Sequence, residues 1–134
     1  MFQKILIPII FFVAQFIIAW YGFFTGKLSS KGNIFGFEYD SFLVRSFVTQ
    51  VKYIWILILI NVLFTIGFHL GFREYKQFLI LASLWIASGP LALLLFNILF
   101  SKEKIDLPIV FGVLFIAIGA IGIVAHKEIV QFLK

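Results

Sequence analysis

The chain has 134 residues, 63% of them hydrophobic and only 13% charged, whereas a soluble domain carries about 25% charged residues. That composition excludes a soluble fold and points to a polytopic membrane protein. With no cysteine there is no disulfide or thiol chemistry, and the net charge of +5 sits in loops and ends, where it reads as membrane-surface charge and not as a nucleic-acid face.

The first apolar segment covers about residues 5–24. Twenty residues at 1.5 Å each cross a hydrocarbon core of about 30 Å. The segment follows a weakly basic start, MFQK, and no A-x-A site comes after it, so it reads as a retained helix and not as a cleaved leader. Pro8 falls in its first turns, where a missing N–H costs little. Gln15, Ala19, Gly22 and Gly26 share one face of an otherwise Phe- and Ile-rich helix. A small and polar face of this kind is expected to meet protein or water.

Residues 25–48 form the longest stretch that does not span. Gly26, Ser29, Ser30, Gly32, Asn33 and Gly36 make its front turn-like, and Phe35, Phe37 and Tyr39 then alternate with Gly36 and Glu38. Asp40 or Ser41 is placed to cap a helix entering the second span. Two readings stand side by side. One is an interfacial loop with its aromatics in the headgroups; the other is a lid whose chemistry is Glu38 and Asp40.

The second span covers about residues 51–70, with Asn61, Thr65 and His69 four apart on one face. They suit either interhelical hydrogen bonds or the lining of a cavity. A short turn, GFREYKQ, leads to the third span at about 78–100. Gly89 and Pro90 lie near its middle, and Pro90 is expected to bend it. Trp85 lies roughly 12 Å from the helix start, deeper than interfacial tryptophans. It is either packed in the core or a stacking wall for a flat or cationic substrate. The charged turn SKEKIDLP brings the third and fourth spans together as antiparallel neighbours. The fourth span, about 107–125, carries Gly112, Gly119 and Gly122, a strip along which another helix, or a second copy of the chain, approaches closely.

The expected architecture is therefore an all-α integral membrane bundle of four transmembrane helices. Residues 1–134 form one domain, with an extended loop between the first two helices. No P-loop, GxSxG or HExxH motif is present, and neither paired carboxylates nor metal ligands lie at membrane depth. The reading is a non-enzymatic protein without cofactor or metal.

Basic residues do not choose an orientation. The side holding the N-terminus has Lys4, Arg73, Lys76, Lys127 and Lys134; the other has Lys27, Lys31, Arg45, Lys52, Lys102 and Lys104. Five against six is the weak bias that a dual-topology protein needs.

The run Trp85, three residues, Gly89, sixteen residues, Asp106-Leu107-Pro108, three residues, Gly112, six residues, Gly119 resembles the third and fourth helices of the small multidrug resistance proteins. These are the four-helix branch of the drug/metabolite transporter superfamily. The likeness covers about 40 of the 134 residues. It implies a transporter in a bacterial inner membrane, working as a homodimer that the charge balance allows to be antiparallel. The family's first helix carries an embedded Glu after an Ala, and this chain has Ala14-Gln15. Gln keeps the shape but does not titrate. All six acids, at positions 38, 40, 74, 103, 106 and 128, lie outside the four apolar runs. Proton-coupled drug exchange is therefore not expected. Two other departures are an insertion of about 20 residues between Gln15 and Trp85, and Ala82 where the family tends to have a tyrosine. Ala14-Gln15 also resembles, more loosely, the aminoarabinose–undecaprenyl-phosphate flippase subunits. That likeness implies a lipid-linked sugar as substrate. Its pathway is expected at Gln15, Asn61, Thr65, Trp85 and Gly89. The alternatives are a non-transporting subunit that packs on a heteromeric membrane partner, and a hydrophobic-cation efflux protein.

Overall fold

A computed structural model of the chain describes residues 2–133. Lys134, counted above among the basic residues, and the side chain of Glu128 lie outside that description. The chain is an all-α, four-helix, multi-pass membrane protein. Helices α1 (Phe2–Gly26), α3 (Ile54–Tyr75), α4 (Phe78–Phe96, extended by a π-helical turn at Asn97–Ser101) and α5 (Leu107–Val124) are long and apolar enough to cross a bilayer. A short α6 (His126–Phe132) follows.

The stretch between α1 and α3 is more ordered than an extended loop. Strands β1 (Lys31–Ile34) and β2 (Phe37–Asp40) form an antiparallel hairpin, and α2 (Phe42–Lys52) runs on from it. The period-two alternation of Phe35, Phe37 and Tyr39 therefore belongs partly to a strand. The two turn residues, Phe35 at φ 49° and Gly36 at φ 88°, both have positive φ, as two-residue hairpin turns of the primed kind require. Asn33 Oδ1 clamps the turn by accepting the Gly36 N–H at 2.8 Å. Tyr39 lies across Gly32, its cross-strand partner, where any larger residue would collide with the ring. A lone hairpin is marginal in water. This one leans on α2, whose Arg45 donates to the Tyr39 hydroxyl at 3.1 Å.

Ser41 occupies the start of α2 in extended conformation, at φ −143°, without a side-chain capping bond. On α2, Leu43, Phe47 and Val51 recur every four residues on the exposed side, while Thr49 is buried. This is the pattern of a helix lying in the membrane interface with its apolar face outward. Trp20, Tyr21, Tyr53 and Trp55 gather at the same end of the bundle, with the Tyr21 and Tyr53 rings 6.4 Å apart. An aromatic belt at that level marks the boundary of the hydrocarbon.

The second span begins at Ile54 and ends at Tyr75, a few residues later than the apolar run alone suggests. The difference arises because Phe72, Arg73, Glu74 and Tyr75 continue the helical ladder until Lys76 turns left-handed at φ 55°. Arg73 and Glu74 thus ride in the last turn of α3. Gln77, back in extended conformation, opens α4, so α3 and α4 are antiparallel across a two-residue break. Pro90 lies inside α4, which continues without interruption to the π-helical turn. There the Lys102 N–H reaches the Asn97 carbonyl at 2.7 Å. Asp106 precedes α5, and Pro108 sits in its first turn, where its missing N–H has no partner to lose.

Helix α1 is central, packed on both α3 and α4. Ile7, Phe11 and Leu81, all fully buried, form the core, with Phe68, Leu84 and Trp85 against them. Two close approaches make this possible. The side chain of Phe11 lies where a Cβ on Gly67 would be, and that of Leu81 lies where one on Gly71 would be. α5 stands apart from this core. It packs on α4 through Val113 and Ala120, and 6% of its span is buried against 22–28% for the other three.

Candidate functional site

Gln15 is the polar side chain that α1 carries into its contact with α4. Its Nε2 donates to the Trp85 carbonyl at 3.4 Å, and the same carbonyl accepts the Ser88 hydroxyl at 2.7 Å. The amide lies over Gly89, with its carbon 3.5 Å from where a Cβ would stand. An alanine would fit at van der Waals distance; a branched residue would displace the amide. Gln15, Trp85 and Gly89 are thus brought together, as the spacing of α1 and α4 allows.

The Trp85 ring reaches both α1 and α3. It meets Phe11 edge-on at 5.4 Å and Phe64 edge-on at 4.9 Å. Beyond Phe64 it walls an apolar groove of about 590 Å³ shared with Thr65, Phe68, His69, Phe78 and Ala82. Thr65 therefore reaches the Trp85 ring side of this groove, not the Gln15 side. Asn61 lies farther along the outer face of α3, where its Nδ2 donates to the Leu57 carbonyl of its own helix at 2.8 Å. It shares a shallow groove with Thr65, Ile58, Val62 and Ile66. Helical geometry separates these groups from Gln15. Gly67 points at α1, and Thr65 and His69 are two residues either side of it, about 200° around the helix. Thus the five pathway residues of the sequence reading fall into two places joined only by Trp85.

Glu38 and Asp40 are exposed on the hairpin. Asp40 Oδ1 accepts the Ser30 hydroxyl at 2.9 Å, and Oδ2 pairs with Lys31 Nζ at 3.7 Å. The hairpin stands at the far end of α1, roughly 16 Å along the helix from Gln15. Asp40 is thus engaged in holding the hairpin. Because the pair is largely exposed, Asp40→Asn is expected to lower the unfolding free energy in detergent by no more than about 1 kcal/mol. A larger drop would mean that the hairpin organises the bundle.

Gly112, Gly119 and Gly122 have nothing within 4 Å of a Cβ position, so the glycine strip of α5 has open space beside it, and Gly119 and Gly122 border a groove against Gln77 and Ile80 of the α4 end. The tight glycines are Gly67 and Gly71 on α3. The sequence signal was present as GFHLG, a small-xxx-small pair. Arg45, which sequence spacing does not single out, is a further side chain at the hairpin. Its guanidinium holds the hairpin through Tyr39, and its Nε is buried without a protein partner. The Tyr21 hydroxyl, Asn97 Oδ1 and Ser101 Oγ are in the same condition. Among the described residues no group of His, Asp and Glu is assembled that would hold a metal ion.

No protein-family model, curated protein or solved structure matches this chain.

Proposed function

We propose that the protein is a small transporter or flippase of the drug/metabolite transporter kind that moves an amphipathic substrate, a lipid-linked sugar first of all, across a bacterial inner membrane. The observation that carries this reading is the Gln15 amide between α1 and α4. It makes one long hydrogen bond and keeps an acceptor oxygen and a second N–H unused, beside the gap left by Gly89. A neutral amide in that position can exchange its bond to the Trp85 carbonyl for bonds to passing hydroxyls. The chain of a lipid-linked substrate meanwhile stays in the bilayer. The four apolar runs hold no carboxylate, which weighs against proton-coupled cation efflux.

The test is translocation of a labelled polyprenyl-phosphate sugar in proteoliposomes. Gln15→Leu is expected to slow it about tenfold, the worth of one or two lost hydrogen bonds. Wild-type rates no faster than protein-free vesicles would sink the proposal. Gln15→Glu assayed for tetraphenylphosphonium uptake separates it from cation efflux, which the Glu variant alone would gain.

One observation favours a second reading. α5 leaves its glycine strip uncovered, and such a strip suits a partner helix. The partner is a second copy, parallel or antiparallel, under the transporter reading. It is a different membrane protein if the chain is an accessory subunit. Co-purification of a stoichiometric foreign chain would favour the subunit.

A further inference from the structure

We infer that the groove between α1, α4 and α5 holds one acyl chain of an anionic phospholipid, with the lipid phosphate at a basic mouth formed by Lys4, Lys76 and Lys127. The groove exists because α5 packs closely on α4 and at most loosely on α1. It encloses about 490 Å³, within the usual range for ligand sites. Its floor is made of small residues, Ala87, Ser88, Ala117 and Ala120. The Ser88 hydroxyl is turned to the Trp85 carbonyl at 2.7 Å, so the floor offers hydrocarbon nothing polar to desolvate.

Its length selects the occupant. On α5 the lining runs from Ala117 to Ala125, roughly 12 Å along the axis, and on α4 it is shorter. That is less than one leaflet of a hydrocarbon core about 30 Å thick. A partner helix would need the whole span, whereas an acyl chain entering from one surface needs only a leaflet.

Charge selects the headgroup. The groove ends at Tyr75 and Ala125. The Tyr75 hydroxyl meets the Lys4 carbonyl at 3.5 Å, which brings the start of α1 to this mouth. Lys76 follows Tyr75, Lys127 is two residues beyond Ala125, and all three lysines are exposed. Arg73 adds a further positive charge at the same end of the bundle, against Glu74. A net basic ring above an apolar slot one leaflet deep is complementary to a phosphate on a hydrocarbon chain.

The site is distinct from the Gln15 contact and does not depend on transport. Native mass spectrometry of the full chain in mild detergent, titrated with palmitoyl-oleoyl phosphatidylglycerol or phosphatidylcholine, tests it. The expected result is one retained phosphatidylglycerol, bound at least about tenfold more tightly than phosphatidylcholine. The Lys4→Gln/Lys76→Gln/Lys127→Gln variant should lose that preference. Ala117→Phe should lose both lipids, and Gln15→Leu should retain phosphatidylglycerol as wild type does. The lysine changes are all on the surface, so they decide the matter even if Ala117→Phe fails to fold. Equal affinity for the two lipids, or a preference that survives the lysine changes, overturns the inference. So does glycerol phosphate competing as well as the whole lipid, which would mean a soluble-phosphate site. A dimer that excludes lipid and that Ala117→Phe dissociates would also overturn it.

Discussion

Phe11→Ala is expected to cost the bundle about 3 kcal/mol or more, the range for removing a fully buried aromatic ring. Phe11 is fully buried at the point where α1, α3 and α4 meet. Its ring lies 5.2 Å from Phe68 and 5.4 Å from Trp85, and it fills the space left by Gly67. In lipid, hydrophobic transfer does not drive helices together, since acyl chains are as apolar as Leu. What Phe11 supplies is contact, and a cavity behind three helices is out of reach of lipid tails that would otherwise refill it. Reversible unfolding in mixed dodecyl sulfate micelles measures the loss. Phe11→Leu, closer in volume, should lose about 1 kcal/mol. A loss below about 1 kcal/mol for the alanine variant would show that the three helices are not held here.

Gly67→Val is expected to be nearly as damaging for the opposite reason. A Cβ at Gly67 would stand 2.8 Å from Phe11 Cδ1 and closer still to Cε1. The ring cannot swing aside, because Phe68 and Trp85 flank it. Either α1 and α3 separate or Phe11 leaves its rotamer, at about 1–3 kcal/mol. Gly67→Ala should also destabilise, although alanine is the better helix former by about 1 kcal/mol. Gly22→Ala is the control: open space surrounds that position, so it should cost nothing and gain up to about 1 kcal/mol of helix propensity. Joining Gly67→Ala with Phe11→Leu should recover part of the loss, a coupling of about 0.5–3 kcal/mol. Strict additivity would mean that the two positions do not touch.

The candidate site was legible only in part. Gln15 and Gly89 stood out as a lone amide and a small residue in apolar runs, and they do meet. Asn61 and Thr65 stood out equally, yet they lie on the outer face of α3. Regular spacing shows that polar residues share a face; it does not show which way the face turns. The hairpin was half legible. Alternating aromatics and a cap position at Ser41 were visible, but pairing depends on the two-residue turn at Phe35 and Gly36, and phenylalanine is no usual signal for positive φ.

The amino-acid sequence by itself determined the number, order and approximate limits of the four spans, because an apolar run is measured against bilayer thickness by length alone. It also determined that no carboxylate lies in the middle of any span. Only the tertiary structure decided that Gly67 and Gly71 make the close approaches, and that α5 stands off with its own glycines open. It alone turned Gln15 toward Gly89 and away from Thr65. The reason is the solvent. In water, hydropathy separates the inward face of a helix from the outward one; in lipid both faces are apolar, and the choice passes to shape, which emerges only when the helices are set against one another.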